Sequence, residues 1–249
     1  MFILEIFFEI HKNLPREAPG DNESTRKAFI LLGDLPSNPI ILDIGCGPGM
    51  QTIQLAKLID GEIYAVDTHQ PFLDELNKRA QNAGVRDKIE TINKSMFKMD
   101  FEEGQFDVIW SEGAVYIYGF EKALKDWYIF LKKNGYIVVS EASWLKKNPP
   151  AEIRDFWNDA YPDIKLIEEN KDRIKKNGYS LISYFILPEN SWWENYYIPL
   201  EIRINELKEK YQRNEEVEKQ LDEELLEIEM FRKYSDYYGY VFYIMQKIE

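Results

Sequence analysis

The sequence predicts an α/β fold, a mostly parallel sheet of seven strands with helices on both faces. Three observations carry that prediction. Short apolar runs alternate with stretches of helical spacing, as parallel strands require because each crossover needs a helix. The run Ile40-Ile41-Leu42-Asp43-Ile44 feeds directly into Gly45-Cys46-Gly47-Pro48-Gly49, a turn where backbone can approach a ligand closely. A second run, Glu62-Ile63-Tyr64-Ala65-Val66, ends on Asp67, roughly 20 residues beyond the loop, where a neighbouring strand places a carboxylate against ribose hydroxyls. Glycine loop and acid together predict a nucleoside-binding crevice.

Each element has its own signal. The first ten residues, Met1 to Ile10, are apolar apart from Glu5 and Glu9, one helical turn apart, which predicts an amphipathic helix packed on the domain. This stretch lacks the basic start and cleavage site of a signal peptide, is too short to span a bilayer, and lacks the basic polar face of a membrane-surface helix. No membrane partner is expected. Residues 24–32 carry Ala28, Leu31 and Leu32 at helical spacing behind the turn Pro19-Gly20-Asp21-Asn22, so two helices lead into the sheet. After the loop, Thr52, Leu55, Ala56 and Ile59 mark a helix ending near Gly61, and Phe72, Leu76 and Ala80 mark another over residues 71–83. Strands follow at 89–93 and 106–110, then a helix over 120–132 and a strand at 136–140.

Beyond Trp144 the rhythm changes. Pro149-Pro150 interrupts the chain, helical segments run through Lys176, and residues 179–187 read as a sixth strand. From Pro199 to Lys233 the chain is charged, with Val217, Leu221, Leu225, Ile228 and Phe231 at helical spacing, the pattern of helices with one buried stripe. Residues 240–245 form the last strand. No internal repeat or low-complexity linker divides the chain, so residues 1–249 are read as a single domain.

Bulk properties narrow the function. Forty-four acidic against thirty-one basic residues give a net charge of −13, which repels a phosphate backbone, so no nucleic acid is expected. Cys46 is the only cysteine, no internal disulfide can form, and a cytoplasmic location is expected. Inside the crowded loop Cys46 reads as a small tolerated residue rather than a nucleophile. His11 and His69 are the only histidines and no pair has ligand spacing, so no metal site is expected. Neither a G-x-S-x-G elbow nor a G-x-x-x-x-G-K-[ST] loop is present.

The loop spacing selects among nucleoside ligands. In a dinucleotide fingerprint, G-x-G-x-x-G, the third glycine stands one residue later than Gly49 does here. With Asp43 two residues ahead of Gly45, the stretch resembles motif I of the class I S-adenosylmethionine-dependent methyltransferases, of the small-molecule type. The resemblance implies a Rossmann-like sheet whose last two strands form an antiparallel edge pair, with a helical insertion between them that can roof the site. It divides the chain into a helical leader (1–37), a cofactor-binding core (38–143), and edge strands with a lid insertion (144–249). S-adenosylmethionine is the implied cofactor, bound at the reversal of strand order. Asp43, Gly45, Cys46, Gly47 and Gly49 would bind its methionine and adenosine portions, Asp43 bearing on the ammonium. Asp67 would take the ribose hydroxyls with Thr68 beside it, and Ser95 and Met96 would face adenine. Glu112, after the fourth strand, is expected nearest the sulfonium.

The implied reaction is in-line methyl transfer to a nucleophilic nitrogen or oxygen of a small-molecule acceptor. Glu112, Tyr116, Tyr118 and His11 are the candidate bases or orienters. Tyr116, Tyr118, Trp144, Trp192, Trp193, Tyr196 and Tyr197 cluster where the acceptor pocket should be, and their faces suit an amine or other cationic or amphipathic metabolite. Two other readings stay open: an NAD-dependent oxidoreductase, and a non-catalytic S-adenosylmethionine-binding regulatory protein. The acceptor and the oligomeric state are not written in the sequence.

Overall fold

The structure, a computed structural model, describes residues 2–248. Met1, counted in the expected leader helix, and Glu249, the last residue of the expected domain, lie outside them. The leader holds α1 (Phe2–Ile10) and α2 (Asn22–Ile30), the latter capped by Asp21, whose side chain accepts from Ser24 N at 2.7 Å. The core runs β1 (Ile40–Ile44), α3 (Met50–Ala56), β2 (Glu62–Asp67), α4 (Gln70–Asn82), β3 (Ile89–Asn93), β4 (Phe106–Ser111), α5 (Val115–Tyr118), α6 (Phe120–Asp126) and β5 (Leu131–Trp144). Then come α7 (Ala151–Ala160), β6 (Lys165–Leu166), α8 (Ile167–Lys176), β7 (Tyr179–Ile186), α9 (Glu189–Trp192), α10 (Ile198–Lys210), α11 (Glu215–Tyr234) and β8 (Tyr238–Lys247).

The strands lie in the order β3-β2-β1-β4-β5-β8-β7, with β6 paired to β5. All pairings are parallel except those of β8, which runs antiparallel to both β5 and β7. The order reverses between β1 and β4, opening a crevice beyond their carboxyl ends. Alternate residues of β1 enter opposite layers: Ile41 packs with Ile63 and Val108 on one face, Leu42 and Ile44 with Ile109 and Val139 on the other. Burial on both faces is why these strands are continuously apolar rather than alternating.

Two expectations need correction. The sheet has eight strands rather than seven: β6 adds two residues, Lys165 and Leu166, opposite Ser143 and Trp144, too few to leave a sequence pattern. The helix expected over 120–132 ends at Asp126, tightens into a 3-10 turn at Trp127–Phe130, and gives way to β5, because Leu131 already pairs with Phe106 of β4. The helical insertion between the last two strands is present as α9, a π-helical turn at Trp193–Tyr197, α10 and α11.

Candidate functional site

The loop after β1 is shaped by contacts that exclude side chains. Gly45 has φ of 72°, and a Cβ there would lie 2.5 Å from Ala114 Cβ, so the loop can press against the tip of β4 only as glycine. Gly47 offers its N–H to Asp67 Oδ2 at 3.0 Å, and His69 N donates to Asp67 Oδ1 at 2.9 Å. Each carboxylate oxygen keeps a further acceptor site for a ligand hydroxyl. One cleft of about 280 Å³ collects Gly45, Cys46, Gly47, Asp67, Thr68, Ser95, Met96, Glu112 and Tyr116, residues drawn from the tips of β1 to β4.

Other expected site residues stand elsewhere. Asp43 is fully buried beneath the loop, with Oδ2 accepting from Thr52 Oγ1 at 2.6 Å and Oδ1 without a partner, so it ties β1 to α3 rather than meeting an ammonium directly. Desolvation, reinforced by Glu112 and Asp67 against the pull of Thr52 and Gln51, pushes its pKa up to about 7. Gly49, with φ of 83°, begins α3 and does not line the cleft; a Cβ there would lie 2.0 Å from Leu76 Cδ1. Tyr118 also stays out of the cleft: its hydroxyl donates to Asp126 at 2.7 Å and its ring packs on Trp127.

Glu112 lines the cleft, but its charge is already answered. Oε2 accepts from Arg16 Nη1 at 3.0 Å, and Oε1 accepts from Thr25 Oγ1 at 2.7 Å and Trp110 Nε1 at 2.9 Å. Burial pushes its pKa up while Arg16 and these donors hold it back. So engaged, it fastens the leader to β4 and is not a free base. Tyr116 is no base either: desolvation, with the negative charges of Glu227, Glu224 and Glu141, raises its phenol to about 12, leaving a donor that can orient an acceptor. His11 is buried behind the cleft wall, its Nδ1 at 3.1 Å from Glu17 Oε2, an ion-pair distance out of line for a directed hydrogen bond. Burial pulls the imidazole pKa down, but Glu17, Glu224 and Glu227 together raise it. Burial likewise drives the Cys46 thiol well above its ordinary value, so it stays a neutral, weakly reactive group.

The leader supplies the wall that sequence reasoning missed. Phe7, Phe8, Arg16, Glu17 and Ala18 all line the cleft. Phe8 stacks on His69 with ring centroids 3.5 Å apart and planes within 4°. Arg79 of α4 donates to the carbonyls of Pro15 and Leu14 at 3.1 and 3.2 Å, and Ser191 of the insertion donates to Asp21, so the leader is held from both sides. The one hint in sequence is a charged pair, Arg16-Glu17, between prolines at 15 and 19, which matches no motif.

The aromatic group assigned to an acceptor pocket divides. Tyr116 alone of the seven lines the cleft. Trp192 stacks on Phe231 at 4.2 Å and packs against Tyr197, Tyr238 and Tyr240, while Trp144 meets Tyr238 and Trp193 meets Tyr197 and Phe231. These rings are the cement between the insertion and β8, because bulky rings release most free energy when they cover one another.

Among the described residues no group of acids, histidines and cysteines could hold a metal, and no helix is long and apolar enough to cross a membrane. Residues 41–135 match the model of the methyltransferase-domain family. Curated relatives include a sterol 24-C-methyltransferase of Pneumocystis carinii, 26% identical over 57% of this chain and 40% of that protein. Another is 27-O-demethylrifamycin SV methyltransferase of Amycolatopsis mediterranei, 28% identical over 68% of this chain and 57% of the relative. The chain spans about half the length of the curated relatives it matches. Among solved structures, S-adenosylmethionine-dependent methyltransferases of Geobacter sulfurreducens and Thiobacillus denitrificans, both in complex with S-adenosyl-L-homocysteine, superpose with TM-scores of 0.82 and 0.81 at 19% and 22% identity. The first covers 98% of both chains, the second 97% of this chain and 98% of its own. The family match runs through the glycine loop, so residues 41–135 form a methyltransferase domain, and the fold of S-adenosylmethionine-dependent methyltransferases extends over nearly the whole chain.

Proposed function

We propose that this protein transfers a methyl group from S-adenosylmethionine to a nucleophilic nitrogen or oxygen of a small-molecule acceptor. The observation that carries the reading is the joined pair of strand tips, Gly47 N–H on Asp67 Oδ2 at 3.0 Å, opening on one cleft. The residues present fit this cofactor. Asp67 keeps acceptor sites for the ribose hydroxyls, and the backbone of 45–47 gives a surface without side chains. Ser95 and Met96 offer a hydroxyl and a soft apolar wall for a base. Glu17, half-buried beside Gly47 with neither carboxylate oxygen hydrogen-bonded and His11 at 3.1 Å as its ion-pair neighbour, suits a cationic portion of the ligand.

Bound there, S-adenosylmethionine supplies a methyl group already activated on a sulfonium. The protein's share is to hold an acceptor lone pair in line with that methyl and to exclude water. Positioning of this kind contributes roughly 7 to 11 kcal/mol. Tyr116, a neutral donor at the cleft wall, orients the acceptor, and the leader with Phe8 and Arg16 closes the crevice. The acceptors named for relatives, a sterol and a rifamycin, are small organic molecules, which supports a small-molecule substrate here. The free Cys46 suits a reducing compartment, the cytoplasm.

Titration calorimetry with S-adenosyl-L-homocysteine is the test. Asp67→Ala should weaken binding by about tenfold to a hundredfold, the loss of hydrogen bonds to a charged acceptor. Equal affinity in wild type and variant, or binding of NADH in its place, would overturn the assignment.

A further inference from the structure

Exposed apolar side chains gather at the cleft. Phe7, Phe97, Tyr116 and Ile117 all line it and are 37, 56, 43 and 51% exposed, although they come from three separate places: α1, the turn after β3, and α5. Among the described residues one other aromatic side chain is comparably exposed, Tyr184 on the edge strand β7, and Lys171 Nζ lies 4.1 Å from the centre of its ring. Single apolar residues on a surface are ordinary, but several that converge on one concave site mark a face that a ligand covers.

These side chains are backed rather than loose. The Phe97 ring leans on Tyr118 with centroids 4.9 Å apart, and the Tyr118 hydroxyl donates to Asp126 at 2.7 Å and accepts from Lys122 at 2.9 Å. Tyr116 meets Tyr161 edge-on at 5.9 Å, and Tyr161 is fixed by donating to Glu141 at 2.6 Å. Phe7 packs on His11 at 4.3 Å and on Phe8 at 5.5 Å. A face already held in place loses little side-chain freedom when a ligand covers it.

The charges of the cleft are engaged elsewhere. Arg16 is bound to Glu112 and Asn22, and Lys94 to Asp100. The two remaining acids sit against Gly47, on the side of the glycine loop: Asp67 accepts its N–H at 3.0 Å, and Glu17 has His11 at 3.1 Å and its own Cγ 3.3 Å from where a Cβ on Gly47 would stand. A charged acceptor at the apolar mouth would give up water without gaining a partner.

We infer that the acceptor is an uncharged molecule with an apolar body, which lies across Phe7, Phe97 and Ile117 while its hydroxyl or amino group meets Tyr116. The inference rests on the methyl-transfer reading above and narrows its acceptor to a neutral, hydrophobic class. Tyr116 is the one of the four with a polar end, and its phenol, kept protonated by burial, is a donor to that group.

The test uses the full chain saturated with S-adenosyl-L-homocysteine, titrated in a calorimeter with 1-hexanol, 1-octanol and 1-decanol beside octylammonium and octanoate. Alkanol affinity should rise roughly fourfold to tenfold for every two methylenes, and octanol should bind several-fold more tightly than either charged eight-carbon probe. Phe97→Ser/Ile117→Ser replaces two exposed side chains and so leaves the fold in place. It should flatten the series and lower decanol affinity at least tenfold, with S-adenosyl-L-homocysteine affinity as in wild type. A flat series in wild type, no alkanol binding, a charged probe bound as tightly as octanol, or a series that survives the double variant would overturn the inference. So would a double variant that loses S-adenosyl-L-homocysteine affinity, since the two side chains would then serve the cofactor. A wild-type dimer in sedimentation that the double variant dissociates would also overturn it, since a second copy would then cover the face. Failure of wild type to bind S-adenosyl-L-homocysteine defeats instead the cofactor reading, so the two failures are distinguishable.

Discussion

Arg16 and Glu112 meet at 3.0 Å with both side chains about 95% out of solvent, and a charge pair so placed is judged by what its loss leaves behind. Removing one partner strands a buried charge, which costs about 3 to 5 kcal/mol, whereas removing both charges is far milder. Arg16→Ala should therefore lower the free energy of unfolding by that amount, read as a lower urea midpoint, and Arg16→Met/Glu112→Gln should recover most of it. A single variant as stable as wild type would mean that the leader is not seated on β4. Neither partner's role could be read from the chain alone. Glu112 was marked by its position after a strand, but Arg16 lies 96 residues away, and the pairing makes an expected reactive acid into a fastening. At this scale the sequence exposes residues that sit in a local motif, such as Gly45, Gly47 and Asp67, because their neighbours in sequence are also their neighbours in space.

At the scale of elements, the loop-to-helix joint shows how one motif serves two purposes. Gly45 and Gly47 face the cleft, whereas Gly49 lets α3 start against α4, with Leu76 in the place of its missing side chain. Gly49→Ala adds a clash and a left-handed backbone strain together, and should lower the free energy of unfolding by about 1 to 3 kcal/mol, read by denaturant titration. The same Gly49→Ala change should cost less in a Leu76→Ala background than in wild type, because the clash is then gone and only the backbone part remains; an equal cost in both backgrounds would contradict this division. Element positions are largely readable: β1 shows as a run of buried residues, and the edge strand β7 shows as an alternation of covered and exposed ones from Tyr179 on. Where elements were misread, pairing had overridden local pattern: Leu131 joins β5 although its flanks are helical in spacing, and the two residues of β6 exist only because β5 overhangs the sheet.

Across the whole molecule, buried acids set the pH response. Desolvation raises the pKa of Asp43 to about 7, of Glu227 to about 7 and of Glu141 to about 8, the last offset in part by the hydrogen bond from Tyr161. An acid whose folded pKa lies above its unfolded value binds more protons when folded, so its contribution is fully present below the unfolded pKa and is lost as the pH rises through the folded one. These three acids should thus make stability decline by a few kcal/mol, roughly 3 or more, between pH 5 and pH 8. Glu141 faces Tyr161, Asp163 and Arg173, and Glu141→Gln removes its ionisation, so the variant should show a flatter decline in urea midpoint. A wild-type midpoint that rises from pH 5 to pH 8 would contradict the assignment.

The sequence by itself determined the sheet, the glycine loop and Asp67, and with them the ligand class, since each rests on residues adjacent in the chain or on a spacing that parallel crossovers impose. Tertiary structure alone decided which acids are free and which are spent. The leader reaches across to Glu112, Asp43 is sealed beneath the loop, and Glu227 of α11 accepts from Tyr197. Charge, burial and partner are properties of the folded surroundings, and a side chain's chemistry follows them rather than its place in the string.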